Sequence, residues 1–208
     1  MARVATKAVL VVSGLFLTRL FYSCCDCNET PIPFDFDAMA ITNLDNSGER
    51  PQPSSTNTML ANAVAFEVTI STTQFLNPAR KAKCNCPGFS SARAMECDCE
   101  IPYAPRQTIV DISVTTEYRV SATIAAGSRI PDESLVFLDS KGFSPTLYLS
   151  KSDILTAINP GTLYDLPMIR FRVFLKDCVE NGIAQFTIAI GLSDGRTLTA
   201  QTNPITIV

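Results

Sequence analysis

An all-β fold, two packed antiparallel sheets in an immunoglobulin-like β-sandwich, is predicted by three observations. Several segments alternate apolar and polar residues with period two, the signature of a strand with one buried face. The apolar set, 46% of the 208 residues, is rich in Ile, Val, Phe and Tyr, which suit pleated surfaces. Thirteen Pro and nine Gly cut the chain into short runs. The expectation is about seven or eight strands, a Cys-rich insert and at most one short helix. A closed barrel is the alternative arrangement.

The chain begins with a positive stretch holding Arg3 and Lys7, followed by AVLVVSGLFL over residues 8–17. That run is too short to span a bilayer, which takes roughly 20 apolar residues. It suits the apolar region of an export signal. Leu20-Phe21-Tyr22-Ser23-Cys24 then reads as a relaxed lipobox, with small Ser23 directly before the cysteine. Residues 1–23 are read as a lipoprotein signal peptide and Cys24 as the lipidated residue, with Cys25 as the alternative. Two or three acyl chains on one cysteine suffice for stable membrane attachment.

Residues 24–32 form a polar tether, and residues 33–208 a single domain interrupted by a Cys-rich insert over 77–106. In 33–44 the apolar residues Phe34, Phe36, Ala38, Ala40 and Leu44 fall on one face of a strand. A loop of Ser, Pro, Gly, Gln and Asn fills 46–57. Strand alternation returns in 61–72 through Val64, Phe66, Val68 and Ile70, and again in 108–118, TIVDISVTTEY. Residues 120–131 are a connection, and 135–138 and 146–149 are brief apolar runs. Ser150-Lys151-Ser152-Asp153 resembles a capping box, opening a helix stopped by Asn159-Pro160-Gly161.

Residues 168–176 alternate Ile169, Phe171, Val173 and Leu175 against Arg170, Arg172 and Lys176. A turn at Glu180-Asn181-Gly182 leads into a strand over 184–192. Ser193-Asp194-Gly195-Arg196 signals a hairpin, because Asp-Gly accepts the positive φ of a tight primed turn. A last strand over 197–208 carries Pro204, which places part of it at an edge or bulge.

Eight cysteines stand at 24, 25, 27, 84, 86, 97, 99 and 178. The pairs 84–99 and 86–97 share one antiparallel register, since both sum to 183, so two disulfides between the arms of one excursion are geometrically compatible. An oxidising compartment preserves such bonds. The pairing 84–97 with 86–99 stays open, as does a four-thiolate metal site, although two C-x-C pairs are a less usual zinc pattern than C-x2-C. Disulfides among Cys84, Cys86, Cys97 and Cys99 are the expectation, with no metal and no cofactor. Cys25, Cys27 and Cys178 are left without an evident pairing.

Composition also narrows the function. There is no His and no Trp. Catalytic arrangements built on imidazole are therefore excluded, as are zinc sites with imidazole ligands. Without the leader, 14 basic residues face 20 acidic ones, a charge of −6. That balance argues against a nucleic-acid partner, whose recognition needs clustered cations.

Other candidate sites have plainer readings beside them. Asn43-Leu44-Asp45-Asn46-Ser47-Gly48 partly resembles a calcium loop, but Ser54 stands where a bidentate Glu is required, so a turn is preferred. Asp35 and Asp37 share a strand face, as paired carboxylates or as a solvated face, and the latter is preferred. Arg170 and Arg172 are read as a solvated sheet face, and Arg80, Lys81 and Lys83 as loop solvation. Tyr103, Tyr118, Tyr148 and Tyr164 suit either a carbohydrate platform or core and edge packing, the second being preferred.

Taken together, the FYSCC signal end, Phe34-Asp35-Phe36-Asp37, the Cys-rich insert, TIVDISVTTEY followed by Ala-Gly-Ser, and the closing NPITIV make a pattern. It resembles the short Bacteroidota-type lipoproteins that carry an immunoglobulin-like β-sandwich of unknown function. The resemblance implies attachment through Cys24 to the outer membrane, on its periplasmic or surface side, and it brings no catalytic residues. The functional expectation is a non-catalytic envelope lipoprotein with a structural or interaction role, partnered by the membrane and by an envelope protein or glycan. A glycan- or small-ligand-binding module is the alternative, and thiol-redox or metal chemistry a more distant one.

Overall fold

Val64, Phe66, Val68 and Ile70 alternate along one strand with buried Ala65 and half-buried Glu67, Thr69 and Ser71, and every one of the four is buried. That strand is the centre of the larger of the two main sheets in an all-β sandwich. The computed structural model describes residues 30–54, 56–73, 102–139, 148–159 and 166–208. The chain divides into two units, Met1–Ile32 with Leu76–Pro102, and Pro33–Phe75 with Tyr103–Val208. Of the first, only residues 30–32 and 102 are described. The second is the sandwich.

Thirteen strands occur among the described residues: β1 Ile32–Phe34, β2 Ala38–Asp45, β3 Gln52–Pro53, β4 Thr58–Met59, β5 Val64–Ser71, β6 Tyr103–Pro105, β7 Ile109–Thr116, β8 Leu135–Asp139, β9 Met168–Leu175, β10 Gly182–Ala184, β11 Phe186–Leu192, β12 Thr197–Gln201 and β13 Ile205–Ile207. One helix, α1 (Lys151–Ile158), stands between β8 and β9. The larger sheet runs β3-β2-β5-β9-β8 and the facing one β12-β11-β7, both antiparallel. A small sheet, β10-β13-β4, contains the parallel pair β13–β4, and β1 pairs with β6.

The two main sheets meet through aromatic residues. Phe66 of β5 lies 5.0 Å, ring centre to ring centre, from Phe186 of β11. Phe137 of β8 and Phe171 of β9 lie 6.5 Å apart in the same core. All four are fully buried. Burying such a ring contributes roughly 2–3 kcal/mol, and this layer is the main apolar source of stability.

The count exceeds the expected seven or eight strands because the short strands β1, β3, β4 and β6 add to it and because two long apolar runs are split between sheets. Residues 184–192 are divided at Gln185 into β10 and β11, and residues 197–208 at 202–204 into β12 and β13. The two breaks lie side by side. Buried Thr202 accepts the Phe186 N–H on its hydroxyl (3.0 Å), while Gln185 donates its side-chain amide to the Thr202 carbonyl (3.0 Å). Pro204 has no N–H to offer a ladder, which favours the break there.

A second departure concerns β2. Its residues opposite the buried β5 positions are Met39, Ile41 and Asn43, so Ala38, Ala40 and Leu44 face the other way from the expected core. The face changes across residues 35–37, between β1 and β2, where Asp35 bonds Arg106 and Gln107 and Asp37 bonds Thr73 while the Asp37 N–H doubles up on the Ser71 carbonyl (3.1 Å). Leu44 instead joins Ala65 and Phe174 in a smaller cluster on the outer face, with Val136 and Leu138 against it.

The hairpin after β11 closes as a three-residue loop. The Gly195 N–H donates to the Leu192 carbonyl (3.0 Å) and the Leu192 N–H to the Arg196 carbonyl (2.9 Å), with Gly195 at φ +86°. Glycine occupies that left-handed conformation without the Cβ clash other residues meet.

Candidate functional site

The sides of the sandwich are treated differently. Along the β7 and β8 side, α1 packs on both strands. Its capping box is present: the Ser150 hydroxyl accepts the Asp153 N–H (3.2 Å), and the Asp153 carboxylate accepts the Ser150 N–H (3.4 Å). Ile154 and Ile158 are its buried face. At its end, Asn159 accepts the Ile109 N–H (2.7 Å) and donates to the Ile109 carbonyl (2.6 Å). Farther along β7, the Thr116 N–H donates to Ser128 and the Ile130 N–H to Val114, so residues 128–130 occupy the rest of that edge.

A charged cluster sits on this closed side. Lys151, the first helical residue and only 15% exposed, makes ion pairs with Asp111 of β7 and with Asp132 (3.1 Å) in the short 3-10 turn before β8. Arg129 pairs with the same carboxylates at 3.3 Å (Asp132) and 3.8 Å (Asp111). Burial pushes the Asp132 carboxyl upward, but hydrogen bonds and charge from Lys151 and Arg129 outweigh it and hold the group below its ordinary value. Two cations on two carboxylates neutralise each other. Beside them lies an open groove of about 440 Å³ lined by Asp132, Glu133, Ser150, Lys151, Ser152 and Leu155.

The opposite side is open. There β2 lies near β12. Because the Asn46 N–H bonds to the Ala63 carbonyl, alternation along the ladder turns the backbone groups of Met39, Ile41 and Asn43 away from β5. The Asn43 carbonyl accepts the Ser54 N–H, whereas Met39 and Ile41 have no outward backbone partner among the described residues. On β12, the bonds Leu192–Arg196 and Thr202–Phe186 fix the same alternation. Thr197, Thr199 and Gln201 therefore direct their N–H and C=O groups outward, where no backbone partner among the described residues meets them, and all three are exposed.

Of the residues singled out in the sequence, Cys24, Cys25, Cys84, Cys86, Cys97 and Cys99 lie outside the described residues, as do Arg80, Lys81, Lys83 and Tyr164. Cys178 is exposed and free. Asp35 and Asp37 are tied to separate neighbours. Asp35 receives Arg106 (2.8 Å) and Gln107 (2.6 Å), and Asp37 receives the Thr73 hydroxyl (2.9 Å). Arg172 and Arg170 both reach Glu67, at 3.3 and 3.7 Å. Tyr103 is buried against Phe34, whereas Tyr118 and Tyr148 are exposed and do not converge with it. Asn43, Leu44 and Asp45 belong to β2, and the Asp45 carboxylate accepts the Ser47 N–H as in an ordinary turn.

Among the described residues, no three carboxylate or thiol side chains converge as metal ligands, and no helix is long and apolar enough to cross a membrane. The cluster of Asp111, Arg129, Asp132 and Lys151 went unread in the sequence, since its members come from three separate stretches of chain with no shared periodicity.

These features define an all-β sandwich with one covered side and one uncovered side. No family model matches the chain, and no curated protein matches it in sequence. Among solved structures, it is similar to the C-terminal domain of the Streptococcus agalactiae AgI/II polypeptide BspA, at 10% identity and a TM-score of 0.28. That match covers 82% of this chain and 49% of the other. A second structure, titled BspA_C_WT, matches at 10% identity and TM-score 0.28, covering 82% and 50%. A third, titled BspA_C_mut, matches at 9% identity and TM-score 0.27, covering 82% and 46%. The chain thus spans about half the length of the structures it matches.

Proposed function

We propose that this chain is a non-catalytic envelope lipoprotein, tethered through a lipidated Cys24, whose sandwich serves a structural or interaction role. The supporting observation is the uncovered β2/β12 side. Sheet edges left with outward N–H and C=O groups are templates for pairing with another chain, and proteins ordinarily blunt them. Here one side is blunted by a helix, an asparagine and a crossing segment, whereas on the other only the Asn43–Asp45 end of β2 is covered, by β3, and β12 is not. The charged cluster supports the same reading, because its cations and carboxylates are engaged with one another rather than presented to a reacting group.

Growth in labelled fatty acid tests the anchor. The wild-type chain is expected to take up label and remain with the membrane fraction, and Cys24→Ala to lose both. Equal labelling of the two proteins would overturn the anchor.

The groove beside α1 favours a second reading, a module for a glycan or other small polar ligand, since hydroxyls of Ser150 and Ser152 border it together with Lys151. A panel of oligosaccharides at millimolar concentration is then expected to raise the melting temperature through binding to the folded state. A panel that leaves it unchanged removes this reading.

A further inference from the structure

We propose that β12 pairs edge to edge with β12 of a second copy of this chain, antiparallel, with Thr199 on the two-fold axis. The inference deepens the interaction reading and rests on it, but it does not depend on the lipid anchor.

The register follows from where the free edge begins and ends. At one end the chain turns away at Gly195, in its left-handed conformation. At the other, the Asn203 carbonyl is already taken by the Asn43 side-chain amide (3.1 Å). Between them, Thr197, Thr199 and Gln201 present every outward backbone group. An antiparallel pairing about Thr199 sets Thr199 opposite its own copy and Thr197 opposite Gln201 of the second copy. All of these are pairs that exchange both N–H···O bonds, so no outward group of the strand is left unmet. Shifting the register by two residues toward the C-terminus would set Thr197 against the occupied Asn203 carbonyl.

The chemistry of the strand favours a second copy as the occupant. Thr-Leu-Thr-Ala-Gln contains no charge, no proline and no bulge, the devices that usually guard an edge. The self-pair is complementary, with threonine opposite threonine or glutamine and no like charges opposed. Arg196, the nearest charge, would face Thr202 of the second copy and is already engaged by Asp194 (2.8 Å). A two-fold axis lets one surface patch satisfy itself. The product is one continuous sheet ordered β7-β11-β12-β12-β11-β7.

Sedimentation velocity of the purified full chain, from micromolar to about millimolar concentration, is the test. The wild type is expected to shift reversibly from monomer to dimer. Thr199→Lys and Thr199→Glu each place like charges at the axis and are expected to lose the dimer, while an equimolar mixture of the two regains it. Thr199→Pro removes only an outward N–H, leaves the bonds to β11 in place, and is also expected to lose the dimer. A wild type that stays monomeric throughout overturns the proposal. So does a Thr199→Lys protein that dimerises like the wild type, or a mixture that fails to recover. A monomer that still takes up label through Cys24 overturns this inference alone, and an unlabelled chain that dimerises overturns the anchor alone.

Discussion

Asn159 pairs with Ile109 through both ends of its side-chain amide, accepting the N–H at 2.7 Å and donating to the carbonyl at 2.6 Å. The amide stands in for a residue of a neighbouring strand. It does so at the start of β7, where the ladder with β11 is irregular: Gly191 pairs with Asp111 and Leu192 with Ile109, leaving Val110 as an extra residue. A bulge disturbs pairing locally, and the helix end satisfies the backbone it leaves exposed. Asn159→Ala would leave both Ile109 groups without their partner at a residue that is otherwise buried. A loss of about 2 kcal/mol is expected, read as a lower urea midpoint. An unchanged midpoint would show that water replaces the amide without cost.

The break shared by the two C-terminal runs gives a sharper test. Thr202 is buried, and its hydroxyl is the acceptor for the Phe186 N–H. Thr202→Val keeps the volume but removes that acceptor, with an expected cost of about 1–3 kcal/mol. Hydrogen exchange at the Phe186 amide should quicken in the same variant. Thr202→Ser retains the hydroxyl and should protect that amide as the wild type does.

That break also shows why the strand count was not legible. Ala184, Phe186, Ile188, Ile190 and Leu192 are all buried, so the alternation runs unbroken across Gln185 while the hydrogen-bonding partners change from β13 to β12 and β7. Periodicity reports which side of a strand is covered, not which strand lies beside it. For β5, β7 and β9 the pattern was sufficient, because each lies in one sheet throughout. In β2 it failed at residues 35–37, where the carboxylates of Asp35 and Asp37 are tied to Gln107 and Thr73 and the face reverses on entry to the strand. The β2/β12 opening was equally hidden, since backbone groups leave no mark in side-chain pattern.

Core packing makes a quantitative contrast. Phe186 is fully buried against Phe66, whereas Tyr148 is 54% exposed although its ring lies 5.2 Å from that of Phe174. Phe186→Ala should destabilise by about 3–5 kcal/mol through lost burial and the cavity left behind. Tyr148→Ala should cost under about 1 kcal/mol. Comparable losses in denaturant titrations would contradict the placement of the core between the two main sheets.

The charged cluster should give stability a dependence on acid. The Asp132 carboxyl is held below its ordinary value of 3.8 in the folded state, after burial is outweighed by Lys151 and Arg129. A group lowered on folding contributes stability above its unfolded value, and loses it as pH falls through the folded value. Wild type and Asp132→Asn are therefore expected to differ at pH above the ordinary carboxyl range and to converge below it. The effect should be small, because the Asp132 side chain is 45% exposed and solvent screens it. Urea midpoints between about pH 6 and pH 2 read the convergence. A difference that grows toward low pH would reverse the assigned sign.

The intact mass of the protein extracted with detergent from membranes of its native cell addresses the tether directly. The expected species begins at Cys24, lacks residues 1–23 and carries the added mass of a diacylated thiol. A soluble, acyl-free chain that still starts at Met1 would contradict the proposal that this sandwich works from a lipid anchor.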